Sequence, residues 1–119
     1  MPPPQIERDI HVNPKHLEWI RKAMLADVEE ASGTGRRAFV EGMGICGKTG
    51  TAQRPSKHGP DHVTWFASFA PYSSPKYVVV VMVEETNAGG GTRCAPKARE
   101  IYLAIQKMEQ EKLRHMAAN

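Results

Sequence analysis

The run Tyr77-Val78-Val79-Val80-Val81-Met82-Val83 constrains the fold of this chain more than any other segment. Its β-branched side chains are stiff about χ1 and sit best on a pleated surface, and the run is too short for a buried helix. It is the longest apolar stretch, and it falls far short of the roughly 20 residues that a membrane-spanning helix needs. No polar residue interrupts it at alternate positions. The sequence therefore predicts a strand over 76–85 that is covered on both faces, the usual situation of a central strand.

The segments around this run fit a sheet flanked by helices. Residues 1–12 are proline-rich and read as an irregular tether. Asn13-Pro14 is a helix start, a side-chain cap followed by the imino acid tolerated in the first turn. Leu17, Ile20, Met24 and Val28 follow on one apolar stripe, with Lys22, Asp27 and Glu29 off it, and Ser32-Gly33-Thr34-Gly35 ends the helix. Strands are predicted near 43–54, 62–70 and 76–85, joined by a loop over 55–61 and a turn at Pro71-Tyr72-Ser73-Ser74-Pro75. Such short connections favour an antiparallel meander. Asn87-Ala88-Gly89-Gly90-Gly91 breaks the chain, and Pro96 opens a last helix with Ala98, Ile101, Ile105 and Met108 on one stripe. The tail of this helix is charged, and its last residues, 116–119, read as frayed. The fold class is α+β, a three-stranded antiparallel meander with flanking helices over 13–115.

Charge and cysteine content remove several functions. Sixteen Lys and Arg against thirteen Asp and Glu leave a net charge of +3, with the basic residues scattered rather than gathered on one face, so nucleic acid is not an expected partner. Cys46 and Cys94 lie far from any paired metal spacing and read as two small buried hydrophobes, although the fold could still bring them together. His11, His16, His58 and His62 show no ligand spacing, so no metal is expected. No basic-then-apolar leader follows Met1. If the protein is exported, its address lies elsewhere.

Two motifs compete for Lys48. Gly42-Met43-Gly44-Ile45-Cys46-Gly47-Lys48-Thr49 matches a phosphate-binding loop, which needs a helix to begin at Gly-Lys-Thr so that its amides hold the anion. The residues that follow, Gly50-Thr51-Ala52-Gln53-Arg54-Pro55, are poor helix formers. Lys48-Thr49-Gly50-Thr51 fits a strand instead. There Thr49 and Thr51 share one face, Lys48 and Gly50 point to the other unless local twist lets the lysine reach a groove, and Gly50 admits a ligand backbone. Such a strand can hold a peptide.

The wider setting resembles a known family. Lys-Thr-Gly is one of three elements of penicillin-recognising serine enzymes, beside Ser-x-x-Lys and a Ser-Asp-Asn type triplet. Around it stand Ile45-Cys46-Gly47 and Ala52-Gln53, then Asp61-His62, Trp65-Phe66-Ala67-Ser68-Phe69-Ala70-Pro71, Pro75-Lys76-Tyr77 with the valine run, Gly89-Gly90-Gly91 and Ala95-Pro96-Lys97-Ala98-Arg99. That order is similar to the C-terminal part of class B penicillin-binding proteins. Asn13-Pro14-Lys15-His16 and the triple glycine resemble the elongation type, penicillin-binding protein 2.

The resemblance implies part of a peptidoglycan D,D-transpeptidase, with an incomplete β-lactamase-like fold, no cofactor, and a place on the extracytoplasmic or periplasmic face of the membrane. In that family a serine attacks a D-Ala-D-Ala stem peptide and passes the acyl group to an amine, and β-lactams acylate the same serine. Carried over, Lys48 supplies charge and tunes the proton network as a catalytic residue, while Thr49, Gly50 and Thr51 bind substrate. The threonine hydroxyls meet the terminal carboxylate, and the Thr51 amide is one oxyanion donor, a contribution typically worth about 3 kcal/mol.

The chain departs from the pattern at the serine. Its one Ser-x-x-Lys, Ser73-Ser74-Pro75-Lys76, follows Lys-Thr-Gly and contains a proline that prevents the helical turn such a pair needs. Two of the three elements are missing, so the chain alone is expected to be inactive. The resemblance further implies that the strand over 76–85 pairs with an N-terminal strand outside this chain. A partner is therefore expected there, either the missing part of the domain or a second copy in a homodimer. The rival reading is a non-catalytic peptide-binding or assembly module.

Overall fold

A computed structural model describes residues 1–53, 62–84 and 89–119 of the chain. The predicted loop over 55–61, Arg54, Glu85 and residues 87–88 of the predicted break lie outside the described residues. Residues 1–13 adopt no regular structure and are exposed.

The first helix, α1, spans Pro14–Glu29. The Asn13 Oδ1 accepts the Lys15 N–H at 2.9 Å, and proline occupies the first turn, so the start signal in the sequence operates as physical capping. The stripe on this helix is covered only at its C-terminal end. Val28 is fully buried, whereas Leu17 and Ile20 stay exposed. Polar contacts pin the middle of the helix to the turn at Pro71-Tyr72-Ser73-Ser74-Pro75: Arg21 donates to the Tyr72 carbonyl, and the Tyr72 hydroxyl donates to Glu18.

The three strands are β1 (Cys46–Gln53), β2 (His62–Ala70) and β3 (Tyr77–Glu84), joined in the antiparallel order β1-β2-β3. The meander is as the sequence predicts. β1 begins later than residue 43 because Gly42 and Gly44 take positive φ angles of 81° and 58°, which break the extended backbone while Met43 and Ile45 turn into the core.

Register decides the faces. Thr49 lies opposite Phe66, and Phe66 opposite Val81; Thr51 lies opposite Thr64, and Thr64 opposite Val83. These residues share the face covered by the helices. Lys48, Gly50, Trp65, Ala67, Val80 and Met82 share the other face.

This arrangement corrects the expectation for the valine run. Among the described residues β3 is an edge strand, not the central one, and only one of its faces is covered: Val79 is 8% exposed, against 78% for Val78 and 55% for Val80. An unbroken apolar run thus need not mean two covered faces within one chain. The central strand is β2, whose Thr64, Phe66, Ser68 and Ala70 alternate inward.

A short helix, α2 (Gly90–Arg93), follows where the sequence predicted only a break, and α3 (Ala95–Ala118) runs on from it with Pro96 in its first turn. The covered stripe of α3 is Ala95, Ala98 and Tyr102, with Ile105 packed beside it, whereas Ile101 and Met108 are exposed. The predicted stripe holds at Ala98 and Ile105 and fails at Ile101 and Met108, because Tyr102 and the small Ala95 meet the core in their place. The Ser68 Oγ donates to the Val79 carbonyl at 2.8 Å, which spends its one proton, so the Tyr102 hydroxyl donates to Ser68 at 2.9 Å. Residues 116–118 continue the helix and are exposed. Among the described residues no helix is long and apolar enough to cross a membrane.

Cys46 and Cys94 are buried and unpaired. Burial pushes the Cys46 thiol up to about 11, which leaves it protonated and unreactive at neutral pH. The Cys94 Sγ donates to the Thr64 carbonyl at 3.3 Å.

Candidate substrate groove

Residues 48–51 are extended within β1, so no helix starts at Gly47-Lys48-Thr49 and the phosphate-loop reading fails on geometry. Beside the strand lies an open groove of about 550 Å³, lined by Thr49, Gly50 and Thr51 of β1, the Gly33–Arg37 turn after α1, and Gly89 to Thr92. That volume is in the range of small-ligand sites.

The third wall depends on glycine. A Cβ on Gly90 would stand 2.1 Å from the Trp65 carbonyl oxygen and 3.0 Å from that of Gly50, and a Cβ on Gly91 would stand 2.1 Å from the Thr34 carbonyl oxygen. Only a chain without side chains can lie this close to the β1–β2 ladder and the Gly33–Arg37 turn.

Thr34 ties the second wall to β1. The Asp27 Oδ1 accepts both the Thr34 N–H at 2.9 Å and the Thr34 hydroxyl at 2.6 Å, and the hydroxyls of Thr34 and Thr49 lie 2.8 Å apart. A hydroxyl has one proton. The Thr34 proton goes to the carboxylate, so Thr49 donates to Thr34, and a chain of hydrogen bonds runs from Thr49 through Thr34 to Asp27. The Asp27 Oδ2 is buried with no hydrogen-bond partner among the described residues.

Of the residues singled out in the sequence, Thr49 and Thr51 line the groove from one face of β1, and Gly50, which has no side chain, lines it with backbone. Lys48 does not. It projects from the opposite face, is exposed, and its Nζ donates to the Thr49 carbonyl at 2.6 Å. Strand twist within this chain does not carry the ammonium around to the hydroxyls. The Ser73-x-x-Lys76 match sits in the β2–β3 turn, with Lys76 paired to Glu109 at 3.1 Å, far from a helical serine–lysine arrangement.

Sequence reasoning missed Asp27, Thr34, Arg36, Arg37 and Thr92. Ser32-Gly33-Thr34-Gly35 carried a signal for ending a helix but none for where that end would be placed, since only the packing of Val28 against Phe66 and Gly47 sets the turn beside β1. No acidic residue is among those that line the groove within the described residues, while Arg36 and Arg37 are, so the charge of the lining itself is positive, with the Asp27 carboxylate one hydrogen bond behind Thr34.

Comparison with known proteins fixes the family. The penicillin binding protein transpeptidase domain matches residues 2–103. This chain belongs to that family. It is 38% identical over 90% of its length to the peptidoglycan D,D-transpeptidase MrdA of Haemophilus influenzae, and 48% identical over 56% of its length to the stage V sporulation protein D of Bacillus subtilis. It spans 19% and 11% of those relatives. Among solved structures it is similar to penicillin binding protein 3 of Mycobacterium tuberculosis, with a TM-score of 0.68, 26% identity, and coverage of 83% of this chain and 25% of that one. The transpeptidase domain of the FtsI4 D,D-transpeptidase of Legionella pneumophila gives a TM-score of 0.64 at 26% identity, covering 77% of this chain and 35% of that one. The chain is thus part of a class B transpeptidase domain, and the partial penicillin-binding fold inferred from the sequence is the one observed.

Proposed function

We propose that this chain forms the substrate-strand part of a peptidoglycan D,D-transpeptidase of the elongation type, acting in cell-wall cross-linking on the extracytoplasmic side of the membrane. The observation that carries this reading is the extended tetrapeptide 48–51 beside a cationic groove, with Thr49 and Thr51 on the groove wall. In the complete enzyme the Thr51 hydroxyl receives the terminal carboxylate of a stem peptide or a β-lactam. Thr49 joins it by turning its hydroxyl away from Thr34. Lys48 starts from the uncovered side of the sheet, and its flexible stem would have to swing round the edge of β1 to reach a serine nucleophile supplied at the groove by elements outside this chain.

The uncovered face and the outer edge of β3 support a partner at 76–85. Val78, Val80 and Met82 are exposed on a strand that ends the sheet among the described residues, an arrangement that invites strand pairing. The remainder of the same domain fits that edge, since the chain spans only 19% of the MrdA relative. A homodimer through β3 is the alternative for the isolated chain.

A fluorescent penicillin tests the reading. The complete protein that carries this chain should form a covalent adduct, this chain alone should form none, and Thr51→Val in the complete protein should slow labelling about ten-fold, as expected for loss of a hydrogen bond to a charged group. Labelling of the isolated chain, or none of the complete protein, would refute it.

A further inference from the structure

The groove offers more positive charge than one terminal carboxylate uses. Arg36 is committed to the protein: its guanidinium stacks 4.3 Å over the Phe39 ring, and its Nη1 donates to the Val28 carbonyl at 3.5 Å. Arg37, the next residue and also on the groove wall, is exposed and makes no hydrogen bond or ion pair among the described residues. Nothing acidic among those residues lines the groove to neutralise it. The terminal carboxylate is already provided for by the hydroxyls on β1. A free, forked cation on a separate wall of a site of about 550 Å³ is suited to a second carboxylate on the same ligand.

We propose that Arg37 is a specificity residue that receives a second carboxylate of the donor peptide, on the wall formed by the turn after α1. The proposal rests on the transpeptidase reading above. It names the substrate class as peptides bearing an anionic group in addition to their C-terminus. The turn Gly33–Arg37 holds this cation in place because the Gly35 N–H donates to the Asp27 carbonyl at 3.1 Å and the Ala38 N–H to the Gly35 carbonyl at 2.9 Å.

Two penicillins that differ by one carboxylate on the acyl side chain, phenylacetyl against carboxyphenylacetyl, provide the test in the complete protein. The second-order acylation rate is measured for each. Arg37→Gln should lower the ratio of the dicarboxylate rate to the monocarboxylate rate about five-fold, a modest factor because the guanidinium is exposed and screened. Arg37→Lys should restore part of it, and the ratio should fall towards the Arg37→Gln value as salt is raised in the unmodified protein. An unchanged ratio, or equal loss on both penicillins, overturns the proposal while leaving the transpeptidase reading intact. Failure of the unmodified protein to react with either penicillin overturns the transpeptidase reading itself, and the proposal with it.

Discussion

The two edges of the sheet are built from opposite chemistry. At β1 the residues are small and polar, Gly47-Lys48-Thr49-Gly50-Thr51, and the edge is crowded by other parts of the same chain that lie close only because Gly90 and Gly91 carry no side chains. At β3 the residues are large and apolar, and nothing among the described residues covers their outer face. The apolar content of a strand therefore reports how much surface must be buried, and does not say by which chain. The groove lies along the polar edge, where backbone and hydroxyls are accessible, and the apolar edge is left uncovered among the described residues.

Substitutions can break this contrast, beginning with the residue on which both edges depend. Phe66 is fully buried beneath Gly47 and lies opposite both Thr49 and Val81. Phe66→Ala should cost about 3–5 kcal/mol of stability by denaturant unfolding and abolish function at both edges together. Survival of one edge would mean that they fold independently. A smaller effect is confined to the polar edge. Thr34→Val deletes the link between Thr49 and Asp27, so stability should fall by about 1 kcal/mol through the lost bond to the carboxylate. A loss near zero would show that the chain of hydrogen bonds is dispensable.

The apolar edge should respond differently. Val80→Lys, at a position 55% exposed, should leave the unfolding free energy of the isolated chain within about 0.5 kcal/mol while shifting any self-associated species to monomer in sedimentation. A destabilisation as large as that of a core substitution would mean that this face is already covered. The smallest effect concerns Glu109, where α3 meets the start of β3. The Tyr77 hydroxyl first, and the Lys76 ammonium second, hold its carboxyl below the usual carboxylate range. Its folded pKa is below its unfolded one, so these contacts contribute at neutral pH and are lost as the pH falls through the carboxylate range. Glu109→Gln should flatten that acid-side slope in thermal melts and leave the groove unaffected.

How far the sequence reached differs by element in the same way. The cap at Asn13-Pro14, strand β2 and the meander were legible because each depends on neighbours in the chain: a side chain reaching the next amide, alternation along one strand, and short connections. On α3 the stripe was legible at Ala98 and Ile105 but not at Tyr102, which is chosen over Ile101 by the shape of the sheet beneath it, something periodicity does not carry. In the site, Thr49, Gly50 and Thr51 were legible as one strand. Asp27, Thr34 and Arg37 were not, since their approach to β1 is set by the packing of α1 on Phe66.

The sequence by itself determined that residues 48–51 would be extended, because Gly50 and Pro55 deny them a helix, and that the valine run would be a strand. Only the tertiary structure decided that Lys48 faces away from the hydroxyls, that β3 ends the sheet among the described residues, and that two arginines border the groove. The physical reason is range: backbone preference acts within a few residues, whereas the side on which a residue meets its partners depends on contacts between segments distant in the chain.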